Sequence, residues 1–404
     1  MYSKKRILFV DDEPRILQGL QRMLRGMRQE WEMMFAESGQ KALDILTQRN
    51  FDVVVSDMRM PGMNGAELLK EVMNRYPQMI RIVLSGHSDR EMILKSVLTA
   101  HQYLSKPCDA ETLKSTVMRA SALRGLLSGN EIKNIVSKME SLPSLPTLYS
   151  EIMNELQSPE SSMKRVGGII EKDIGMSAKI LQLVNSAFFG LPQHISTPAQ
   201  AVSLLGLEIV KALVLSVHVF SQFNQSKLKN LSLNSIWQHS ETVGNLSKKI
   251  YEMESNDKNF ISYALIAGLL HDIGKLILMT NFPEKYDSVV SSALHQNIIL
   301  CDIELEVFGV THGEVGAYLL GLWGLPDLVV EAIASHHNPR QVPGNTFIPL
   351  SAVYVANTLE HEMFPQRRLG AVQPIDTNYL DEIDLAERLP VWMDICQNVI
   401  EKGD

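Results

Sequence analysis

The chain has 404 residues, of which 45% are hydrophobic and 21% are charged, and this length and composition predict a globular protein of two or three domains. A formal net charge of -8 argues against a general attraction to nucleic acid or to an anionic membrane, and we find no basic recognition helix, so we expect no DNA and no membrane partner. The three cysteines, Cys108, Cys301 and Cys396, form no CxxC pair, which argues against a disulfide scaffold or a zinc ribbon and favours a reducing cytoplasm.

Residues 6 to 125 alternate short apolar runs with amphipathic segments. The apolar runs are RILFV, EMMF, FDVVVS, IRIVLS and QYLS, and helices are predicted from Pro14, from about residues 39, 64 and 89, and from Asp109. Five such β–α units predict an α/β domain in which a parallel sheet is covered by helices on both faces.

The pattern changes after about residue 130, where strand-like runs disappear and helical periodicity continues to the end of the chain. The stretch SLPSLPTL (141–148) opens this second region, because two prolines so close together prevent a continuous helix. Helices are predicted near 147–157, 162–187, 198–223, 235–254, 258–280, 300–321, 326–337 and 346–363. The second region is therefore expected to be an all-α domain.

These patterns divide the chain into an α/β domain (1–125), a helical linker (126–140), an all-α domain (141–370) and a C-terminal helical tail (371–404). The linker continues a predicted long helix over 109–139 that either dimerises or transmits a signal, although Gly125 and Gly129 weaken it. The tail either returns to cover the all-α domain or binds a partner, and the sequence leaves both alternatives open.

Four polar clusters follow directly after apolar strands of the first region. They are Asp11 and Asp12 after ILFV, Asp57 after VVVS, Ser85 within IVLSG, and Lys106 after QYLS. Because the carboxyl ends of parallel strands meet at one edge of a sheet, we expect these side chains to converge. Crowded carboxylates repel one another unless a cation is present, and Mg²⁺ prefers one or two carboxylates with water and phosphate oxygens. With the metal screening it, an aspartate can accept a phosphoryl group as an acyl phosphate.

The first region resembles the receiver domains of two-component response regulators over roughly residues 1–125. The matching motifs are VDDE (10–13), SDMRMPGMNG (56–65), LSG (84–86) and YLSKP (103–107). The resemblance implies a flavodoxin-like (βα)5 fold and a phosphoryl group that Asp57 takes from a histidine kinase or a phosphotransfer protein.

The same resemblance implies a role for each neighbouring residue. Asp57, Asp12 and the main-chain carbonyl of Arg59 would hold Mg²⁺, Asp11 would help through water, Ser85 and Lys106 would contact the phosphoryl oxygens, and Tyr103 would swing inward as Ser85 moves. The Lys106–Pro107 bond is expected to be cis, as the Lys-Pro of the family usually is.

Several histidines lie in the helical region. His271 and Asp272 stand within the apolar segment ALIAGLLHDIGKLIL, where an unpaired charge would be costly. His239, His312 and the pair His336-His337 are further candidates, since imidazoles and a carboxylate can bind a transition metal or activate water on it. We interpret the isolated His218, His295 and His361 as ordinary structural side chains.

The helical region resembles the HD superfamily, and more narrowly its HDOD branch, over roughly 131–365. The narrower resemblance depends on SLPSLPTL, DIGMSAKILQLVNSAFFG, and the order WQHS, GLLHDIGKL, THGEVGAYLLGLWGLP. In hydrolytic HD enzymes a His, a His-Asp pair and a later Asp bind metal, and the position of that last Asp reads Asn357. The acidic residue and the Gly-Tyr-Pro of the related HD-GYP phosphodiesterases are absent from HHNPRQVPG.

The resemblance implies a response regulator whose HDOD domain is a non-catalytic signalling or protein-interaction module. Three interpretations of His239, His271, Asp272, His312, His336, His337 and Asn357 stay open: packing side chains of a degraded HD site, metal binding without turnover, or a working phosphohydrolase acting on a nucleotide. The expected cofactor is Mg²⁺ at the receiver site, and the expected partners are the phosphoryl donor, a downstream protein and a second copy of the chain.

Overall fold

The structure, a computed structural model, describes residues 4–85, 99–123, 130–137, 142–144, 151–185 with gaps at 153, 156–157 and 159, 195, 197–206, 210, 220–222 and 232–401. The chain forms two compact units, which divide near residue 141, apart from two short segments. The helix predicted from about residue 89 lies outside the described residues.

The N-terminal unit is built around a parallel sheet of five strands. Its strands are β1 (Lys5–Val10), β2 (Trp31–Ala36), β3 (Val53–Asp57), β4 (Ile80–Ser85) and β5 (Gln102–Ser105). Their order is β2-β1-β3-β4-β5, so the chain leaves β1 first toward one side of the sheet and then toward the other. The carboxyl ends of β1 and β3 flank this reversal, which is where open α/β sheets bind ligands.

The N-terminal unit has five described helices. They are α1 (Pro14–Met23), α2 (Gly39–Gln48), α3 (Gly65–Arg75), α4 (Ala110–Leu123) and α5 (Asn130–Ser137). Helices α2 and α3 begin at capping side chains. At α3, Asn64 Oδ1 accepts from the Glu67 N–H at 3.0 Å while Glu67 Oε2 accepts from the Asn64 N–H at 3.0 Å. This capping box fixes the start of α3 after the loop that follows β3.

The C-terminal unit is largely helical. Its described elements are β6 (Leu142–Ser144), α6 (Met163–Glu171), α7 (Ile174–Asn185), α8 (Pro198–Leu205), β7 (Phe220–Gln222), α9 (Leu233–Glu254), α10 (Lys258–Leu270), α11 (Ile273–Asn281), α12 (Pro283–Gln296), α13 (Leu300–Phe308), α14 (His312–Leu322), α15 (Asp327–Ser335), α16 (Pro349–Met363), α17 (Thr377–Glu382) and α18 (Leu389–Glu401). Helices α9, α10 and α16 pack on one another in its centre.

The largely helical character expected of this region is confirmed, and the structure adds one feature that was not predicted, a two-stranded parallel sheet formed by β6 and β7. Each strand has only three residues, and Pro143 lies within β6. Proline is tolerated where a strand needs no donor on one side, as in so small a sheet. Helical periodicity cannot detect a strand this short.

Several helices predicted as single segments are pairs. The segment 162–187 contains α6 and α7, 300–321 contains α13 and α14, and 258–280 contains α10 and α11, which are separated at His271 and Asp272. The long helix predicted over 109–139 appears as α4 and α5, and residues 124–129 between them lie outside the described residues.

The apolar segment Lys258–Asn281 has the length and mean hydropathy, 1.5, of a membrane-crossing helix, but 78% of its apolar window is buried within the protein. Burial of this kind is typical of a core helix. It therefore gives only weak support for a membrane span.

The tail covers the helical unit, which is the first of the two alternatives for this segment. Helix α18 packs against α9 and α16, and Trp392 is completely buried. The Trp392 indole N–H donates to Glu254 Oε1 at 2.9 Å, and Arg388 Nε donates to the same oxygen at 2.9 Å. A buried indole with a satisfied N–H holds the chain end onto α9.

One buried arginine joins three parts of the N-terminal unit. Arg81 on β4 is 1% exposed, and its guanidinium donates to the carbonyls of Pro77, Met79, Thr99 and Ser137. Ser137 is the last residue of α5, where helix carbonyls lack intrahelical partners and favour a positive charge. Arg81 therefore ties the described part of the linker to the sheet.

Replacing the Arg81 guanidinium by an apolar side chain should lower the local stability of the N-terminal unit around β4 and α5. In Arg81→Met four carbonyls lose their donor, and unsatisfied buried groups cost about 1–3 kcal/mol each, so we expect the opening free energy of β4 and α5 amides to fall by about 3 kcal/mol or more. Hydrogen–deuterium exchange of the full chain measures it. Arg75→Met, which breaks an exposed ion pair with Glu71, is the matched control and should change protection by less than about 0.5 kcal/mol. Equal protection in the two variants would contradict the role of Arg81.

Candidate functional site

The carboxyl edge of the sheet gathers two aspartates and one lysine. Asp57 is the last residue of β3, and Asp11 directly follows β1, whose Val10 is paired with Ser56. Lys106 follows β5 and donates through Nζ to Asp11 Oδ2 at 2.7 Å and to Asp57 Oδ1. The convergence expected for these three residues is therefore present.

The backbone holds both carboxylates in place. Asp57 Oδ2 accepts from the Arg59 N–H at 2.7 Å, and Asp11 Oδ1 accepts from the Glu13 N–H at 2.9 Å. Gly65 lets α3 approach β3, because a Cβ at this position would overlap the Asp57 carbonyl oxygen. The loop between them can thus close tightly around Asp57.

The electrostatics of this edge are dominated by burial. Burial raises the pKa of Asp57, and this effect outweighs the hydrogen bond and charge of Lys106, which lower it. Burial by itself would lower the pKa of Lys106, but its hydrogen bonds to Asp11 and Asp57 raise it above its ordinary value. Two buried carboxylates share one ammonium, and such a carboxylate set fits a hard dication that prefers oxygen ligands.

The other predicted residues of this site are placed less completely. Asp12 is half-buried beside Asp11, the Arg59 side chain is exposed, and Tyr103 is 1% exposed within the core. The Ser85 side chain lies outside the described residues, so its contact with a phosphoryl group stays a prediction. The Lys106–Pro107 bond is cis, as predicted.

The helical unit brings its predicted histidines together around Asp272. The chain turns at His271 and Asp272, between α10 and α11, so that neither residue is inside a helix. Imidazole nitrogens of four elements surround the carboxylate: His312 Nε2 lies 3.3 Å from Oδ1, His271 Nε2 3.5 Å from Oδ1, His239 Nε2 3.6 Å from Oδ2 and His336 Nε2 3.9 Å from Oδ1. His337 joins the same cluster, with its Nε2 3.1 Å from His312 Nε2.

Each ring is oriented by an oxygen behind it. The contacts are His239 Nδ1 to Glu360 Oε2 at 2.6 Å, His271 Nδ1 to the Gly268 carbonyl at 2.6 Å, His312 Nδ1 to Glu304 Oε2 at 2.7 Å and His336 Nδ1 to the Ile333 carbonyl at 2.8 Å. Carbonyls and carboxylates only accept, so the four Nδ1 atoms donate, and a ring that is neutral directs the lone pair of its Nε2 toward Asp272.

This arrangement leaves lone pairs facing one another. His239 Nε2 and His271 Nε2 are 3.0 Å apart. Within the described part of the chain, Asp272 Oδ1 and His336 Nε2 are buried and make no hydrogen bond. Buried polar atoms without partners are costly, and a bound cation would satisfy both of them.

Burial decides which of these rings are neutral. It lowers the pKa of His271 to about 3 and the pKa values of His336 and His337 well below their usual range. Burial also opposes a charge on His312, but Glu304 and Cys301 raise the pKa of this ring well above its usual range. Three rings thus offer lone pairs directly, while His312 carries a proton that a metal ion would replace.

Close helix packing makes the cluster compact. A Cβ on Gly274 would overlap the His312 carbonyl oxygen, so glycine allows α11 to approach the start of α14. Lys275 Nζ donates to Asp272 Oδ2 at 2.7 Å and leaves Oδ1 for the imidazole side. Burial would raise the pKa of Asp272, but His271 and Lys275 keep it well below its usual value, so the carboxylate is ionised.

The donor set fits a transition metal. Two groups, His239 with His271 and Asp272, and Asp272 with His312 and His336, have ligand atoms within 4.8 Å of one another. Imidazole with carboxylate suits zinc, iron and related ions. A cavity of roughly 430 Å³ opens beside the cluster, and its walls include His336, His337 and Asn357.

Sequence reasoning missed the residues that support the histidines. Glu304 and Glu360 are completely buried, and each orients an imidazole: Glu304 that of His312, eight residues away in sequence, and Glu360 that of His239, 121 residues away. His361, interpreted from the sequence as an ordinary side chain, stacks on His239 with ring centroids 4.6 Å apart and lines the cavity. Asn357 is 3% exposed on the same wall. Glu304 and Glu360 each stand in a largely apolar helix, and this sequence signal could have identified them as supporting residues.

Comparison with known families decides the identity of both units. The family model of the response regulator receiver domain matches residues 7–118, and that of the HDOD domain matches residues 142–339. The chain is a response regulator with a receiver domain and an HDOD domain. The carboxylate edge belongs to the receiver domain, and the Asp272 cluster lies mainly in the HDOD domain.

Curated relatives match parts of this response regulator. An uncharacterized protein of Treponema pallidum is 26% identical over 224 residues, which are 55% of this chain and 43% of that protein. The hydrogenase transcriptional regulatory protein HoxA of Cupriavidus necator is 38% identical over 122 residues, 30% of this chain and 25% of HoxA. The chain thus spans less than half the length of these relatives.

Two solved structures are similar to parts of the chain. The MmoQ response regulator of Methylococcus capsulatus is 23% identical, with a TM-score of 0.48, covering 63% of this chain and 98% of that one. The signal receiver domain of an HD domain-containing protein from Pseudomonas fluorescens is 33% identical, with a TM-score of 0.28, covering 30% of this chain and 97% of that one.

Removing the lysine of the receiver edge should strengthen its affinity for a dication. In Lys106→Met, Asp11 and Asp57 lose the ammonium that they share, so we expect Mg²⁺ to bind at least about tenfold more tightly in calorimetric titration. Lys41→Met, which removes an exposed partner of Glu37, should leave the affinity unchanged. Unchanged or weaker Mg²⁺ binding in Lys106→Met would show that the lysine and the ion do not compete.

Proposed function

We propose that this response regulator is switched by phosphorylation of Asp57 and acts through its HDOD domain on a downstream protein. The observation that carries the proposal is the position of Lys106 Nζ, which contacts both Asp11 and Asp57 at the ligand-binding edge of the sheet. An ammonium beside a strand-end aspartate is suited to contact the oxygens of an incoming phosphoryl group.

The proposed reaction transfers a phosphoryl group from a phosphohistidine of a kinase or phosphotransfer protein. An Asp57 carboxylate oxygen forms the bond to phosphorus, the bond from phosphorus to the imidazole nitrogen of the donor breaks, and that nitrogen takes up a proton. Mg²⁺, when bound by Asp11, Asp12, Asp57 and the Arg59 carbonyl, supplies positive charge that screens the carboxylates from the phosphoryl oxygens. Lys106 then exchanges its contact with Asp57 for a phosphoryl oxygen.

The proposed output follows from the charge added at this edge. Ser85 and Lys106 contact the phosphoryl oxygens, Tyr103 changes position with Ser85, and the last receiver helices present a different face to a partner. The linker (126–140) connects this face to the HDOD domain (141–370), which then binds a downstream protein or a second copy of the chain. We place this signalling in the cytoplasm, without a DNA or membrane partner.

Chemical phosphorylation tests the proposal. With acetyl phosphate and Mg²⁺, the full chain should gain the mass of one phosphoryl group, and chelation of Mg²⁺ should abolish the gain. Asp57→Asn should gain nothing, because an amide cannot form the acyl phosphate, whereas Asp44→Asn, an exposed aspartate of α2, should react like the native chain. Labelling that persists in Asp57→Asn would assign the acceptor elsewhere.

A second function has specific support in the HDOD domain. The unpartnered Asp272 Oδ1 and the convergent Nε2 atoms favour a transition-metal centre over packing histidines. A transition metal held by these imidazoles and Asp272 would supply the Lewis acidity that phosphodiester hydrolysis needs, so a nucleotide phosphohydrolase is the alternative output. The neutral amide of Asn357 supplies less negative charge than the aspartate of hydrolytic HD enzymes, and we therefore favour binding without turnover.

Measurements of bound metal and of phosphodiester hydrolysis distinguish metal binding without turnover from phosphohydrolase activity. We expect the purified native chain, loaded with Zn²⁺, Mn²⁺ or Fe²⁺ and desalted, to retain metal, and His271→Ala to lose most of it because one imidazole ligand is missing. His295→Ala, an exposed histidine of α12, is the matched control and should retain the native content. Metal retained equally by His271→Ala would exclude this centre, and hydrolysis of a phosphodiester that disappears in His271→Ala would identify the enzyme.

A further inference from the structure

Cys301 lies beside the Asp272 cluster, on the wall of the cavity that the cluster borders. It is the second residue of α13, is 8% exposed and lines the cavity with His312 and His337. Its Sγ lies 4.0 Å from His312 Nδ1. One turn further along α13, Glu304 accepts from the same His312 ring at 2.7 Å, so α13 directs two polar side chains at one imidazole.

The donor atoms at this position have the spacing of ligands to one ion. One ligand atom each from Cys301, His312 and His337 lie within 4.8 Å of one another. Metal–sulfur and metal–nitrogen bonds of about 2.3 and 2.0 Å place the ligand atoms of one ion roughly 3 to 4.5 Å apart. The three residues come from α13, from the first residue of α14 and from the turn that follows α15.

Two buried polar atoms of the cluster have no hydrogen-bond partner among the described residues. They are His336 Nε2 and Asp272 Oδ1, which lie 3.9 Å apart. A metal ion at the cluster would satisfy both atoms. Cys301 and His336 line the same cavity, so the thiol is placed to serve as a further ligand of such an ion.

We propose that Cys301 is a thiolate ligand of a transition-metal ion held on the His312 and His337 side of the Asp272 cluster. The inference depends on the metal-centre function proposed above and extends it to a mixed sulfur and nitrogen donor set. On binding, the thiol S–H bond breaks, sulfur forms the bond to the metal and the proton leaves to solvent. Soft sulfur favours ions such as Zn²⁺, Fe²⁺ and Co²⁺ over Mg²⁺ and Mn²⁺.

Cobalt substitution gives a direct readout of the sulfur bond. With Co²⁺ as the probe, the native full chain should show visible d–d absorption and, in addition, a near-ultraviolet band from thiolate-to-cobalt charge transfer. Cys301→Ser should lose this band and weaken Co²⁺ binding more than about tenfold, because serine is a poor ligand for a soft ion. Cys396→Ser, which removes a buried cysteine of α18 far from the cluster in sequence, should keep band and affinity.

The outcomes distinguish the two proposals. Visible cobalt absorption without a charge-transfer band in the native chain would overturn the role of Cys301 and leave the imidazole centre intact. Absence of any cobalt absorption would overturn both. The native spectrum decides the question even if Cys301→Ser folds poorly, and Cys301→Ala, checked by circular dichroism, provides a second variant.

Discussion

Repulsion between buried electron-rich atoms is the constraint on which both functional regions depend. At the receiver edge, Asp11 and Asp57 are held together by one ammonium, that of Lys106. In the HDOD domain, Nε2 lone pairs and the Asp272 carboxylate converge, with Lys275 as the neighbouring cation. Taken alone, each cluster is unfavourable, because like charges and lone pairs repel one another in a low-dielectric interior. The folds hold them together by backbone hydrogen bonds and close helix contacts.

The two regions differ in how they use this constraint. At the receiver edge, the proposed role of Lys106 is to exchange its contact with Asp57 for a contact with a phosphoryl oxygen. The HDOD cluster is enclosed, and its rings are fixed from behind by Glu304, Glu360 and main-chain carbonyls. A rigid set of lone pairs suits a resident ion, whereas a movable ammonium suits a transient modification. Under the functions proposed above, the chain combines a phosphoryl charge that is added and removed at the receiver edge with an ion that stays bound in the HDOD domain.

Most of the receiver domain could be predicted from the sequence because its signals are local. Buried parallel strands read as apolar runs, and the residue after each run falls at the ligand edge, which is how Asp57 and Lys106 could be found. The HDOD histidines could also be named, since His271 and Asp272 interrupt an apolar segment. Their supporting residues could not, because the contact of Glu360 with His239 joins positions 121 residues apart and no periodicity encodes it. The strands β6 and β7 could not be predicted either, because a strand of three residues is too short to show a hydrophobic pattern.

The turn at His271 and Asp272 also bears on whether this segment is suited to a membrane. Without the turn, α10 and α11 would form one continuous apolar helix long enough to cross a bilayer. In the folded domain α9 packs on α10 and covers part of this apolar surface. The turn places an ionisable pair in the middle of the apolar segment, where a lipid core would reject it.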